Sequence, residues 1–320
     1  MQSPSFVCYS PDMTDPLSEV IALLQPRAVS SRRISAAGRW GVRFSAFGQP
    51  SLCAVTEGSC RLVVDGHPPL TLEGGDFVLM PATPAFTMSG FEPVRPERLD
   101  PNVRSRMRGD VHYGTRKGRP DVRMLGAWFA YDSPDTALLV SLLPPLVHVH
   151  GIKRLSVLVR LVNEEASEGR LGRELVLTRL VEVLHIEALR LTPGDDAPPG
   201  LLRGLADARL ASAIRQMHNH LARSWTVAQL ARTAALSRSS FFDRFTRMVG
   251  VPPMEYLLAW RMAVAKDLLR RQDLGIDEVA ERVGYASAST FSTAFSRYVG
   301  QPPRRYARIA SQPPSKDPRR

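Results

Sequence analysis

Ser237-Arg-Ser-Ser-Phe-Phe-Asp-Arg-Phe-Thr-Arg-Met-Val-Gly-Val-Pro-Pro-Met-Glu-Tyr256 and Ser287-Ala-Ser-Thr-Phe-Ser-Thr-Ala-Phe-Ser-Arg-Tyr-Val-Gly-Gln-Pro-Pro-Arg-Arg-Tyr306 are one pattern written twice, fifty positions apart. Ten of the twenty positions match: Ser237/Ser287, Ser239/Ser289, Phe241/Phe291, Phe245/Phe295, Arg247/Arg297, Val249/Val299, Gly250/Gly300, Pro252/Pro302, Pro253/Pro303 and Tyr256/Tyr306. A repeat at fixed spacing marks a duplicated supersecondary unit. Each copy reads as a helix opened by Ser, closed by Gly and followed by a double Pro.

A shorter amphipathic helix precedes each copy. In the first, Thr226 and Gln229 form a T-x-x-Q capping box, and Val227, Leu230 and Ala231 supply the apolar face. In the second, Asp277 and Glu278 lie in the first turn, where carboxylates favour the positive end of the helix dipole. There Ile276, Val279, Ala280 and Val283 form the buried side, and Gly284-Tyr285 the turn. Both copies therefore read helix, tight turn, helix. Phe241/Phe245 and Phe291/Phe295 are i, i+4 pairs that pack inward. That leaves Arg238, Ser239, Phe242 and Asp243, then Ala288, Ser289, Ser292 and Thr293, facing out, where base edges are read. Because the second set is small and makes few strong base contacts, that copy is also open to the reading of structural support. Arg247 and Arg297, near the helix ends, suit phosphates or helix-end carbonyls.

Between the copies, Leu257, Leu258, Met262, Ala265, Leu268 and Leu269 mark one long helix from Pro253 to about Arg271. Its length of roughly 28 Å approaches the roughly 34 Å between successive major-groove turns, so one protomer reaches two groove segments. Charge agrees. Residues 1–200 hold 22 Lys+Arg and 22 Asp+Glu, whereas residues 201–320 hold 20 and 9, so the whole formal +11 lies with the repeat. A basic domain of small helices is the footprint of a nucleic-acid binder.

The run Trp225-Thr-Val-Ala-Gln-Leu-Ala, Leu236-Ser-Arg-Ser-Ser-Phe-Phe-Asp-Arg-Phe, Val249-Gly-Val-Pro-Pro and Tyr256, then Val283-Gly-Tyr-Ala-Ser to Phe295-Ser-Arg-Tyr-Val-Gly-Gln-Pro-Pro-Arg-Arg-Tyr, resembles the DNA-binding domain of AraC/XylS-type transcriptional regulators. The resemblance covers about 205–310. It implies seven helices with two helix-turn-helix units joined by a long helix.

Upstream, Trp40–Phe47, Ser51–Val55, Cys60–Val64 and Asp76–Met80 have strand character, divided by turn signals at Glu57-Gly58, Asp65-Gly66 and Glu73-Gly74-Gly75. Short, evenly spaced strands point to an antiparallel barrel or sandwich. Leu72-Glu-Gly-Gly-Asp-Phe-Val-Leu-Met-Pro, with Leu142-Leu-Pro-Pro-Leu-Val-His-Val, resembles a cupin-type sensor. Enzymatic cupins carry His and Glu ligands where this chain has Leu52-Cys53-Ala54 and Phe86. His67, His112 and the His148/His150 pair do not assemble the converging set a first-row metal wants. No catalytic residue, metal or cofactor is expected, and the histidines read as ordinary hydrogen-bonded ones.

Trp40, Phe44, Cys53 and Phe86 are candidates to line an effector pocket, with plain core as the other reading; Phe47 shares their spacing. Pro93 to Pro120, rich in Arg, Pro, Gly and Asp, shows no period and reads as an insertion, either a lid or a solvated loop. Two amphipathic helices follow, over Leu155–Val162 and Leu175–Leu191, and the resemblance implies that they form a homodimer interface. Thr192-Pro-Gly-Asp-Asp-Ala-Pro-Pro-Gly200 is a linker composition. The organisation expected is a sensing and dimerisation domain over 1–192, a linker over 193–204, the double helix-turn-helix domain over 205–310 and a disordered basic tail over 311–320.

No apolar run reaches bilayer length, the N-terminus lacks a secretory pattern, and a cytoplasmic location is expected. Cys8, Cys53 and Cys60 form neither a metal pair nor an even disulfide set. The chain thus reads as a sequence-specific transcription regulator. Its partners are double-stranded DNA, RNA polymerase, an unidentified small effector and a second copy of itself, with no membrane. Two other classes stay open: an architectural DNA binder of low sequence preference, and a cupin enzyme with a DNA-binding appendage.

Overall fold

The computed structural model describes residues 15–100, 110–116, 118–133, 136–167, 170–191, 199–271 and 274–310. Cys8, the expected tail over 311–320, residues 193–198 of the expected linker and residues 101–109 of the expected insertion lie outside them. Two compact units emerge: Leu24–Pro198, and a second that joins Pro199–Arg320 to the chain's first residues, up to Leu23.

Among the described residues the first unit is built on ten strands: β1 (Pro26–Ala37), β2 (Gly41–Phe44), β3 (Ser51–Val64), β4 (Leu70–Glu73), β5 (Asp76–Met80), β6 (Phe86–Ser89), β7 (Glu97–Leu99), β8 (Val111–Gly114), β9 (Val122–Tyr131) and β10 (Val147–His150). The first half of β3 pairs with β5 and β9, and its second half with β4 and β6. One long strand therefore serves both layers of a curled, cupin-like sheet whose main path runs β7-β2-β6-β3-β9-β1-β8. Among the described residues the pairings are antiparallel except β1 with β8 and β2 with β7. Alternation along the strands turns Val42 and Phe44 of β2 and Leu62 and Val64 of β3 into one apolar core with Trp40, Leu72, Met80, Phe86, Met88 and Met124.

Two expectations are corrected here. Glu57-Gly58 does not turn the chain: Ser51–Val64 is continuous, and the register against β9 slips between Val55 and Glu57 as a bulge. Gly58 takes φ +74° at that bulge, so the local Gly signal was right and its meaning wrong. The stretch from Pro93 to Pro120 also carries strands. β7 and β8 each add in parallel to an edge, using backbone hydrogen bonds that need no apolar period.

Helices α2 (Thr136–Ser141), α3 (Lys153–Ser167) and α4 (Arg173–Arg190) complete the unit. Leu155, Val159 and Val162 are buried on α3; Leu177, Val181, Leu184, Ala188 and Leu189 are buried on α4. His185 of α4 is fully buried, with Nδ1 2.8 Å from the Val181 carbonyl and Nε2 3.3 Å from the Tyr131 hydroxyl.

The second unit holds α5 (Leu201–Ala206), α6 (Ala208–Asn219), α7 (Val227–Thr233), α8 (Arg238–Val249), α9 (Pro253–Arg271), α10 (Ile276–Arg282), α11 (Ala288–Val299) and α12 (Pro303–Ala310). It also takes in α1 (Pro16–Leu24), from the far end of the chain. Leu17, Val20 and Ile21 of α1 are buried. Glu19 Oε2 lies 2.5 Å from His218 Nδ1, while His218 Nε2 lies 2.7 Å from the Tyr256 hydroxyl and its ring stacks on Trp260 at 4.2 Å.

Candidate nucleic-acid interface

Both repeated helices start and stop as their residues dictate. Ser237 accepts from the Ser240 N–H and Ser287 from the Thr290 N–H, and each helix closes on a left-handed glycine, Gly250 or Gly300. Thr226 and Gln229 form the reciprocal capping box on α7. The tight turns place α7 against α8 and α10 against α11.

The same aromatic scaffold recurs beneath each copy. Phe241 and Phe245 are 5.6 Å apart between centroids, with Phe245 edge-on to Tyr256 at 5.7 Å. Phe291 and Phe295 are 5.4 Å apart, with Phe295 edge-on to Tyr306 at 5.5 Å. All four phenylalanines are fully buried. Burying an i, i+4 pair fixes which face of each helix looks outward.

On α8 that outward face holds Arg238, Ser239, Phe242 and Asp243, all exposed; Phe242 leaves 41% of its surface in solvent. On α11 Ser289 and Thr293 are exposed, and Ala288 and Ser292 half-buried. Arg247 and Arg297 are exposed in the last turns. Sequence reasoning passed over Thr290, exposed on the α11 face, and Arg304, Arg305 and Arg308, exposed on α12. For the arginines, the position after the double Pro was the available signal.

Asp207 braces the first half. It caps α6 by accepting from the Arg209 and Leu210 N–H groups, and Arg244 of α8 donates to its other oxygen. Burial pushes its carboxyl up, but the Arg244 guanidinium and the two N–H groups outweigh that and hold it below the usual range. Arg261 of α9 donates to the Leu221 and Arg223 carbonyls and so ties the long helix to the loop before α7.

In the barrel unit, Trp40, Phe44, Cys53 and Phe86 line one lumen together with Met80, Met88, Met124 and Arg32. Trp40, Phe44 and Phe86 are buried and Cys53 partly so. The space they leave is about 50 Å³. Burial pushes the Cys60 thiol up to about 12 and Cys53 further still, so both stay protonated and unreactive at neutral pH. His148 and His150, neighbours on one face of β10, both reach Asp76 Oδ1, at 2.9 and 3.0 Å. Burial raises the Asp76 carboxyl, yet the Glu73 N–H and the two rings hold it low. No local pattern marks this shared acceptor, because β5 and β10 pair across some seventy intervening positions.

Two capped, phenylalanine-anchored helices presenting polar faces, each behind a short helix and a tight turn, define a double helix-turn-helix DNA-binding protein with a cupin-like barrel ahead of it. Family comparison agrees: a cupin domain model matches residues 15–192 and a helix-turn-helix domain model matches residues 230–309. The chain is 35% identical over 292 residues to a putative AraC-like transcription regulator of Streptomyces lividans, covering 87% of this chain and 93% of that one. A second such regulator, from Streptomyces antibioticus, is 34% identical with the same coverage. The DNA-binding domain of AdpA, solved in complex with a target DNA, is 32% identical and covers 31% of this chain and 89% of its own, with a TM-score of 0.30. This chain belongs to the AraC-like transcription regulators.

Proposed function

We propose that the protein reads a two-part DNA site through α8 and α11, and that its barrel unit couples a small effector to that reading. The observation that carries the proposal is the repeated geometry: matched Ser caps, matched buried Phe pairs, and polar outward faces on both helices. Arg238, Ser239, Phe242 and Asp243 choose bases in one half of the site, and Ala288, Ser289, Ser292 and Thr293 in the other. Arg247 and Arg297 take phosphates. A homodimer fits an apolar stripe on α3 and α4 that includes Val157, Leu161, Leu175, Val176 and Val183, all large and exposed. Trp40, Phe44, Cys53 and Phe86 would have to yield for an effector to enter the lumen, since 50 Å³ is about a third of an engineered cavity that admits benzene. The work is cytoplasmic, at the chromosome, with RNA polymerase as the acting partner.

The test is retention of sheared genomic DNA on the full-length protein at near-physiological salt, followed by sequencing. Discrete sites sharing a two-part motif are expected. Diffuse retention without a motif would replace the regulator by an architectural binder.

Asp243 offers a finer check. An exposed carboxylate in a groove accepts from cytosine N4, an interaction worth about 1–3 kcal/mol of discrimination when well formed. Asp243→Ala is therefore expected to relax base choice at one position of one half-site, read by selection from randomised duplexes. Identical selected motifs for both proteins would remove Asp243 from the interface.

A further inference from the structure

The barrel unit carries a second, larger recess outside its lumen, with an open volume of about 540 Å³. That lies within the range of about 300–1,000 Å³ typical of small-molecule sites, as the lumen does not. Its floor is the outer face of β1, β9 and β3, where register places Ser35 opposite Arg123 and Arg123 opposite Glu57 in one cross-sheet row. The walls are Ser156, Val159 and Arg160 of α3 on one side and Asp110 and Pro120 on the other.

The lining sets a specific group of polar side chains among apolar ones such as Ile34, Leu125 and Val159. Three guanidinium groups, Arg33, Arg123 and Arg160, stand with three hydroxyls, Ser35, Thr56 and Ser156, against two carboxylates, Glu57 and Asp110. Arg33 meets Asp110 at 3.2 Å, Arg123 meets Glu57 at 3.8 Å and Arg160 meets Glu164 at 3.8 Å, each through Nε. These are single-point contacts, not the two-pronged grip that a guanidinium makes with a well-placed oxyanion. All three arginine side chains are at least half exposed, so their existing ion pairs are weak and exchangeable.

From this arrangement we infer that the recess binds a small multivalent oxyanion, a phosphate ester or a di- or tricarboxylate, bridged between the arginines of the sheet and Arg160 of α3. A ligand with two charged ends is needed to span floor and wall. Neutral ligands would leave three guanidinium groups with only loose partners. Closing the bridge fixes α3, whose Val157 and Leu161 belong to the exposed apolar stripe, so occupancy alters the face offered to a second copy. The binding itself is independent of the regulator reading; only this consequence for control rests on it.

The test is calorimetric titration of the full-length protein, without DNA, with pyrophosphate and separately with citrate, ionic strength being matched with chloride. Saturable binding of at least one anion is expected, and which one binds distinguishes phosphate from carboxylate chemistry. Arg123→Ala and Arg160→Ala should each weaken it about tenfold, the order expected for losing one charge-assisted pair. Arg123→Lys, which keeps the charge and loses the fork, should fall between. An unchanged melting temperature without anion, and unchanged DNA retention, show that the variants are folded and the DNA reader intact. No heat from either anion would overturn the inference. So would binding that survives both substitutions and disappears in Arg304→Ala/Arg305→Ala, since the anion would then sit on the basic helix α12.

Discussion

Gly58→Ala is expected to abolish folding of the barrel unit. Gly58 sits at the bulge of β3 with φ +74°, a conformation that costs an ordinary residue roughly 1–2 kcal/mol on its own. Sterics add far more. A Cβ built there falls 1.7 Å from the Asp121 carbonyl oxygen and 2.7 Å from its carbon, backbone atoms that no rotamer change can move. Nor can Asp121 retreat, because its N–H donates to the Ala36 carbonyl and its carboxylate accepts from the Gly38 N–H at 2.6 Å. Separating β3 from β9 at this point breaks a pairing on the main path of the sheet. A domain holds only about 5–15 kcal/mol of net stability, so the loss is comparable to the whole. Differential scanning calorimetry should show the barrel transition missing from a soluble fraction much reduced in yield. A barrel that melts at the wild-type temperature would mean that the bulge accommodates a side chain after all.

Phe295→Ala is expected to silence half of the DNA site. Phe295 is fully buried between Phe291 and Tyr306, in a cluster with Met262, Ala265, Leu269, Val279, Ala280 and Val283. Truncating a buried phenylalanine costs about 3–5 kcal/mol, through lost transfer energy and the cavity left behind. The cluster draws on α9, α10, α11 and α12, whereas Phe241, Phe245 and Tyr256 form the aromatic scaffold under α8. Nuclease protection by the variant should therefore shrink to the half-site read by α8, and Phe245→Ala should give the mirror result. Loss of both halves together in either variant would show that the long helix α9 makes the two units one cooperative body.

The C-terminal unit was legible almost residue by residue because its information is local. Ser caps, Gly stops, i, i+4 aromatic pairs and a fifty-residue repeat all act within a turn or two of where they are written. Only half of what Asp207 does is local: it caps the next helix, but its other oxygen takes Arg244 from a different helix, which no nearby residue announces. The barrel was legible as a class and not in detail. Strands such as β7 and β8 are fixed by the edges they join, so a stretch without periodicity became two of them. Gly58 signalled a departure from extended backbone, but turn and bulge share that signal, and only the partner strand separates them. The recess beside α3 had no sequence mark, since Ser35, Arg123 and Glu57 meet through register across three strands.

The helix Pro16–Leu24 finds its partner far along the chain: Glu19 pairs with His218, 199 positions away. On a ribosome this sets an order of events. The 199 positions between Glu19 and His218 take roughly 10–40 s to synthesise at about 5–20 residues per second. Throughout that interval Leu17, Val20 and Ile21, buried in the finished unit, wait for the helix that carries His218. A helix made early thus waits for a partner made late, and the C-terminal unit closes around it only when both have been synthesised.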